Sequence, residues 1–167
     1  MALRRASHLG YIIALCALVT DRVSKWWIID ILDLPERGRV VLLPFLNLRW
    51  AENRGVSFSL LTADSEVGRW GLVAATLLIV AGLGFWLRTV QDRLLALAIG
   101  LVMGGALGNI YDRAVFGYVA DFVQFYIGSW SFAIFNVADS CITLGAALLI
   151  WDAFFGSTSV KNSGKVK

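Results

Sequence analysis

The stretch Trp70-Gly-Leu-Val-Ala-Ala-Thr-Leu-Leu-Ile-Val-Ala-Gly-Leu-Gly-Phe-Trp-Leu87 carries no charged side chain. A helix of about twenty such residues crosses the hydrocarbon core of a bilayer, where only a helix or a closed barrel satisfies its own backbone polar groups. Apolar runs over about 8–29, 94–111 and 136–155 have spanning length too, the first interrupted by Asp21, Arg22 and Lys25 and the last by Asp139 and Asp152. Composition agrees: 58% hydrophobic and 16% charged residues, with a mean hydropathy of +0.71, leave too little polar surface to clothe a soluble domain. The predicted fold class is mainly α and integral membrane, a single membrane domain over 1–167 with four transmembrane helices. The basic start Arg4-Arg5 and the core Tyr11 to Val19 also fit a cleaved leader. However, no small-x-small site follows and Trp26-Trp27-Ile28-Ile29 prolongs the apolar pattern, so the first run reads as a retained span.

Between the first and second spans, a polar-interrupted stretch over about 30–69 contains the β-rich segments Val40-Val41-Leu42-Leu43 and Phe45-Leu46-Asn47-Leu48-Arg49-Trp50. An open strand edge in lipid would leave backbone groups unsatisfied, so this stretch is predicted to form a small extramembrane lobe. A tight turn over Arg88–Arg93 and a loop near Arg113–Trp130 connect the later spans, and the Ser/Gly/Lys-rich tail 157–167 reads as disordered. Four spans put both termini on the side that carries Arg4, Arg5, Arg88, Arg93, Lys161, Lys165 and Lys167, which the positive-inside rule makes cytoplasmic. The opposite side holds Arg37, Arg39, Arg49, Arg54 and Arg113, so the bias is uneven. Most of the seven tryptophans fall near span ends, as interfacial anchors do. The net charge of +3 suits anionic lipid headgroups, and no basic run with interleaved aromatics points to nucleic acid. Cys16 and Cys141 lack metal-ligand spacing and read as small buried hydrophobes.

Polar residues inside or beside the spans carry the chemistry. Asp121 and Asp139 flank one short polar segment, with no Lys or Arg adjacent in sequence. A carboxylate near hydrocarbon costs about 2.5–3.5 kcal/mol on insertion scales, so it persists where something offsets that cost. Brought together, two carboxylates repel and share a proton, the arrangement with which aspartic proteases activate water. Ion or proton translocation uses similar groups. Asn109, Asp112 and Arg113 lie at i, i+3 and i+4, where an Asp112–Arg113 ion pair with Asn109 as hydrogen-bonding glue is the architectural reading. Asn136, Asp139 and Thr143 share a face of the last span, and Asp21 and Lys25 form a favourable i, i+4 pair. Gly100, Gly104 and Gly108 make a smooth stripe for close helix packing. The single histidine, His8, and the lack of HExxH disfavour a metal-dependent protease.

Five blocks, Asp21-Arg-Val-Ser-Lys25, Asn53-Arg-Gly-Val-Ser-Phe58, Gly104-Gly-Ala-Leu-Gly-Asn-Ile-Tyr-Asp-Arg113, Val119-Ala-Asp-Phe122 and Phe135-Asn-Val-Ala-Asp-Ser140, together resemble the ordered motif set of the lipoprotein (type II) signal peptidases. The resemblance covers nearly the whole chain. It implies a bacterial inner-membrane aspartyl endopeptidase that removes the signal peptide of a prolipoprotein just before its diacylglyceryl-modified cysteine, without a cofactor. Asp121 and Asp139 match the catalytic aspartates. Asn109, Asp112, Arg113 and Asn136 match polar residues beside the site, and Asp21, Lys25, Asn53 and Gly55 match positions that support structure or substrate contact. The lobe corresponds to an extramembrane cradle between the first and second helices, met by Asn53 to Phe58 at the membrane surface. The active site is then near the periplasmic face, and a monomer, contact with membrane lipid and inhibition by cyclic peptides of the family type are implied. Val56-Ser57 and Ala120 depart from the usual residues without removing a chemical group. Arg113, Phe116, Tyr118 and Phe125 would meet lipid headgroup and acyl chains. A proton- or ion-coupled transporter and a noncatalytic scaffold are the rival readings, the first weakened by the lack of an evident internal repeat.

Overall fold

The computed structural model describes residues 2–55 and 66–155. In chain order the elements are α1 (Ala2–Trp26), a π-helical turn (Trp27–Ile31), α2 (Leu34–Arg37), β1 (Arg39–Leu43), β2 (Leu46–Asn53), α3 (Glu66–Leu87), α4 (Arg93–Val115), β3 (Val119–Ile127), β4 (Trp130–Ser131) and α5 (Val137–Phe155). The tail 157–167 and the motif residues Val56, Ser57 and Phe58 lie outside the described residues.

Among the described residues three helices, α3, α4 and α5, are long and apolar enough to cross a membrane, with mean hydropathies of 2.0, 1.8 and 1.5. α1 is longer, at 25 residues, but places Asp21, Arg22 and Lys25 in its last turns. The outward faces of the helices are apolar and exposed, for example Leu15 on α1, Leu78 and Phe85 on α3 and Phe154 on α5, a distribution suited to lipid and not to water. Cys16, read as buried, lies on that exposed surface of α1, and Cys141 is half-buried; both are free thiols.

α4 is the central helix, contacted by α1, α3 and α5. Its start is fixed by Asp92, whose carboxylate accepts the Leu95 N–H at 2.9 Å. Its glycines allow two neighbours to approach at backbone distance. A Cβ on Gly104 would strike the Ala14 carbonyl of α1, and one on Gly105 the Ala138 carbonyl of α5. The helical core collects Ala14, Val73, Leu87, Ile99, Met103 and Ile110 around these contacts.

The sheet departs from the sequence reading, which confines the lobe to the segment between the first two spans and predicts a loop over 113–130. Among the described residues it has four antiparallel strands in the order β1-β2-β3-β4, and β3 and β4 come from between α4 and α5. β3 pairs with β2 in the register Ala51↔Asp121 and Asn53↔Val119. Asp121 therefore sits on an inner strand, not in a loop. A second core of Ile28, Leu34, Leu48 and Phe122 joins the sheet to the end of α1.

Candidate active site

Asp121 on β3 and Asp139 in the first turn of α5 are brought together by Phe135. Its N–H donates to the Val123 carbonyl at 3.0 Å, and its carbonyl accepts the N–H groups of Phe122 at 3.1 Å and Val123 at 2.8 Å. The chain thus leaves β3's flank and enters α5 at Asn136. The Asn136 side-chain oxygen accepts the Asp139 N–H at 2.9 Å, and the Asp139 carboxylate accepts the Asn136 N–H at 3.3 Å. This is a capping box with Asp in place of the usual Glu. The Asn136 amide nitrogen meanwhile donates to Asp121 Oδ1 at 2.6 Å, so one asparagine binds both aspartates.

Two further asparagines complete the hydrogen bonding. Asn53, diagonal to Asp121 across the β2–β3 pair, donates to Asp121 Oδ2 at 2.9 Å. Its amide is oriented by Gly55, whose N–H donates to Asn53 Oδ1 at 3.0 Å from a backbone at φ +101°, a region that side chains other than glycine rarely adopt. Asn109 on α4 donates to Asp139 Oδ1 at 2.8 Å and faces the Asn136 amide at 3.4 Å. Asp121 is only 3% exposed. Burial pushes its carboxyl up, the Asp139 charge adds to the effect, and the amides of Asn53 and Asn136 oppose it, which leaves the group at about 6 against an ordinary 3.8.

Behind the aspartates, Lys25 is fully buried between Asp21 at 2.9 Å and Asp112 at 2.7 Å. The expected Asp112–Arg113 pair is not formed. Successive helical residues diverge around the axis, so Asp112 turns to Lys25 and Arg22 of α1. Among the described residues no carboxylate lies within ion-pair distance of the Arg113 guanidinium. One of its nitrogens reaches the Asn109 carbonyl at 3.5 Å, and its buried Nε has no partner among the described residues. Thr143, placed with Asn136 and Asp139 by helical spacing, is exposed on α5. Among the described residues no group of three His, Cys, Asp or Glu side chains is arranged to hold a metal ion. Next to the site, an open apolar groove of about 630 Å³ is lined by Val19, Val23, Trp27, Ile28, Leu48 and Phe122.

Residues 13–155, which include every residue of this site, match the family described as Signal peptidase (SPase) II. The chain belongs to the signal peptidase II family. Lipoprotein signal peptidases of Methylocella silvestris and Beijerinckia indica are 41% and 48% identical to it, over 94% and 87% of this chain and 92% and 87% of theirs. A solved bacterial membrane enzyme, determined by the in meso method, superposes with a TM-score of 0.77 at 30% identity, covering 95% of this chain and 94% of the other.

In this chain, the described parts of the five motif blocks converge on one cluster that joins α1, β2, α4, β3 and α5. Sequence reasoning missed Arg22, which pairs with Asp112 Oδ1 and lies 4.3 Å over the Tyr111 ring. Both residues stand inside quoted blocks, Arg22 between Asp21 and Lys25 and Tyr111 beside Asp112, and that position was the available signal. The backbone N–H groups of Ala120 and Ala138 were also missed, because a main-chain donor leaves no mark on residue identity.

Proposed function

We propose that this chain is a membrane aspartyl endopeptidase that removes signal peptides from prolipoproteins, cleaving just before the diacylglyceryl-modified cysteine, with Asp121 and Asp139 as its catalytic dyad. Membership of the signal peptidase II family supports the activity, and the bridge from Asn136 to both carboxylates supports the dyad. Asp139, at the N-terminus of α5 and within a capping box, is assigned the role of base. Asp121, buried and raised to about 6, is the one that holds the shared proton. Asp139 then takes a proton from the attacking water while Asp121 donates to the scissile carbonyl oxygen. In collapse of the tetrahedral intermediate, the proton on Asp139 passes to the leaving nitrogen as the C–N bond breaks, and the gem-diol proton returns to Asp121. No cofactor enters these steps.

The substrate carries its lipid into the site from the bilayer. The apolar groove beside Phe122, one residue from Asp121, offers space for acyl chains, and Phe116 and Phe125 are exposed nearby on the same connection. Arg113, whose Nε has no partner among the described residues, supports a contact with the substrate backbone or headgroup. The same reading takes α1 as a fourth span, in a single membrane domain of the bacterial inner membrane. The termini are cytoplasmic and the dyad and sheet lie at the periplasmic face, supported by the cluster of Arg88 and Arg93 in the α3–α4 turn. The enzyme acts as a monomer and is inhibited by cyclic peptides of the family type.

Cleavage of a purified diacylglyceryl-modified prolipoprotein in detergent, with chelator present, tests this function. Wild-type cleavage lost in folded Asp121→Asn and in folded Asp139→Asn is the expected result. Cleavage that survives both substitutions overturns the dyad, and a folded wild type without cleavage overturns the activity.

A further inference from the structure

Asp21 and Asp112 do more than neutralise Lys25. Asp21 gives Oδ2 to Lys25 and uses Oδ1 to accept the Ala138 N–H at 3.0 Å, one residue before Asp139. Asp112 gives Oδ2 to Lys25 and, with the same oxygen, accepts the Ala120 N–H at 3.2 Å, one residue before Asp121. A continuous path therefore runs from the backbone beside one aspartate to the backbone beside the other, through two carboxylates and a single ammonium. Asp21, Lys25, Asp112 and Ala138 are fully buried, and Ala120 is 1% exposed. Ala138 stands in the first turn of α5, where an N–H has no partner within the helix.

A buried ion cluster is weak evidence for stability, since apolar residues of similar volume often serve as well. This cluster sets geometry. α1 supplies the cation and one carboxylate, α4 the other, and the two receiving backbones belong to β3 and α5, so four elements are referenced to one another through Lys25. Gly108 leaves the room that this needs, because a Cβ there would lie 2.5 Å from Asp21 Oδ2. Lys25 also faces Asn109 Oδ1 at 3.5 Å, on the amide that donates to Asp139. We propose that Lys25, acting through Asp21 and Asp112, is a positioning residue that fixes the separation of Asp121 and Asp139. The proposal rests on the dyad reading above. Without the ammonium, two buried carboxylates face each other directly, and the backbones they hold move apart.

The test is steady-state cleavage of the lipid-modified prolipoprotein by purified Lys25→Met, normalised to folded protein by size-exclusion and thermal melting, beside Asp121→Asn and Asp139→Asn. Misplacement of the reacting groups by about 1 Å lowers kcat by about 100-fold, with KM within about threefold of wild type. The double variant Asp21→Asn/Lys25→Met is then no slower than Lys25→Met alone, because the two act as one unit. A wild-type kcat in folded Lys25→Met overturns the proposal. If Lys25→Met does not accumulate folded, Asp21→Asn carries the test: it preserves the shape of the cluster, a kcat loss of about tenfold at unchanged KM is expected, and a wild-type kcat overturns the proposal. Inactivity of both dyad variants with full activity of these two rejects positioning alone, whereas activity in the dyad variants rejects the dyad reading itself.

Discussion

Asn136 holds Asp121 at 2.6 Å through its amide nitrogen while its amide oxygen holds the Asp139 N–H at 2.9 Å. The side chain that starts α5 is thus also the link between the two carboxylates. Replacement by alanine removes an N-cap and leaves Asp121 with one amide donor instead of two. Asn136→Ala should lose about 1–2 kcal/mol of stability through the cap. Its cleavage rate should fall by about 100-fold through misplacement of the dyad. Thermal melting and kcat of the same preparation separate the two effects, and a melting loss with normal kcat refutes the linking role.

The raised carboxyl of Asp121 has a stability consequence. Its folded value of about 6 lies above the ordinary 3.8, so the fold prefers the protonated form. The associated stability is fully present below about 3.8 and is lost as pH rises through about 6. At 1.36 kcal/mol per unit the loss amounts to about 3 kcal/mol. Asp121→Asn does not titrate, so its stability relative to wild type should improve between pH 4 and pH 7, on the order of that amount. A melting difference that stays flat over this range contradicts the raised value.

The same group shapes the rate profile. With Asp121 as the proton holder, kcat/KM, which reports the free enzyme, should decline on the alkaline side as pH rises through about 6. Bound lipid and peptide exclude more water from an already buried carboxyl and raise it further, so the alkaline limb of kcat should lie at higher pH than that of kcat/KM. Coincident limbs, or a limb that survives in Asp121→Asn with residual activity, would argue for another group.

The helices were legible because lipid demands long uncharged runs, as in Trp70 to Leu87, and the amphipathic logic needs no distant partner. β3 was not. Val119, Ala120, Asp121 and Phe122 are all buried, since the strand has β2 on one side and helices around it, so the alternation that marks a half-exposed strand is absent. Its pairing with β2 joins segments on either side of two helices, which no local pattern records. The individual site residues were readable as costly polar groups in apolar surroundings, whereas their partners were not. Asp112 illustrates this: its neighbour Arg113 seemed the natural counter-ion in sequence, yet Lys25 and Arg22 of another helix hold it.

Arg113 is left half-buried beside the site, its Nε without a hydrogen-bond partner among the described residues, the condition of a group that receives a ligand. Arg113→Ala should therefore change stability by no more than about 0.5 kcal/mol, as expected where no ion pair is broken. It should raise KM for the lipid-modified prolipoprotein well above any change in melting temperature. Arg113→Lys, a point charge without the planar fork, should recover only part of the affinity. Unchanged kinetics in normally folded Arg113→Ala would remove this residue from substrate handling.

The glycines offer a contrast within one protein. Gly71 and Gly82 on α3 have no atom of the described residues within 4 Å of the position a Cβ would take, so alanine there should be neutral or gain up to about 1 kcal/mol from helix propensity. Gly104 on α4 faces the Ala14 carbonyl of α1, a backbone atom that cannot swing aside, and Gly104→Ala must push the two helices apart. Overpacking of this kind costs about 1–3 kcal/mol. It also displaces α1, and with it Asp21 and Lys25, so cleavage by folded Gly104→Ala should fall further than its melting temperature suggests. Comparison of melting and kcat for Gly71→Ala, Gly82→Ala and Gly104→Ala checks this, and equal behaviour of all three would mean that the approach of α1 to α4 is not set by the glycine stripe.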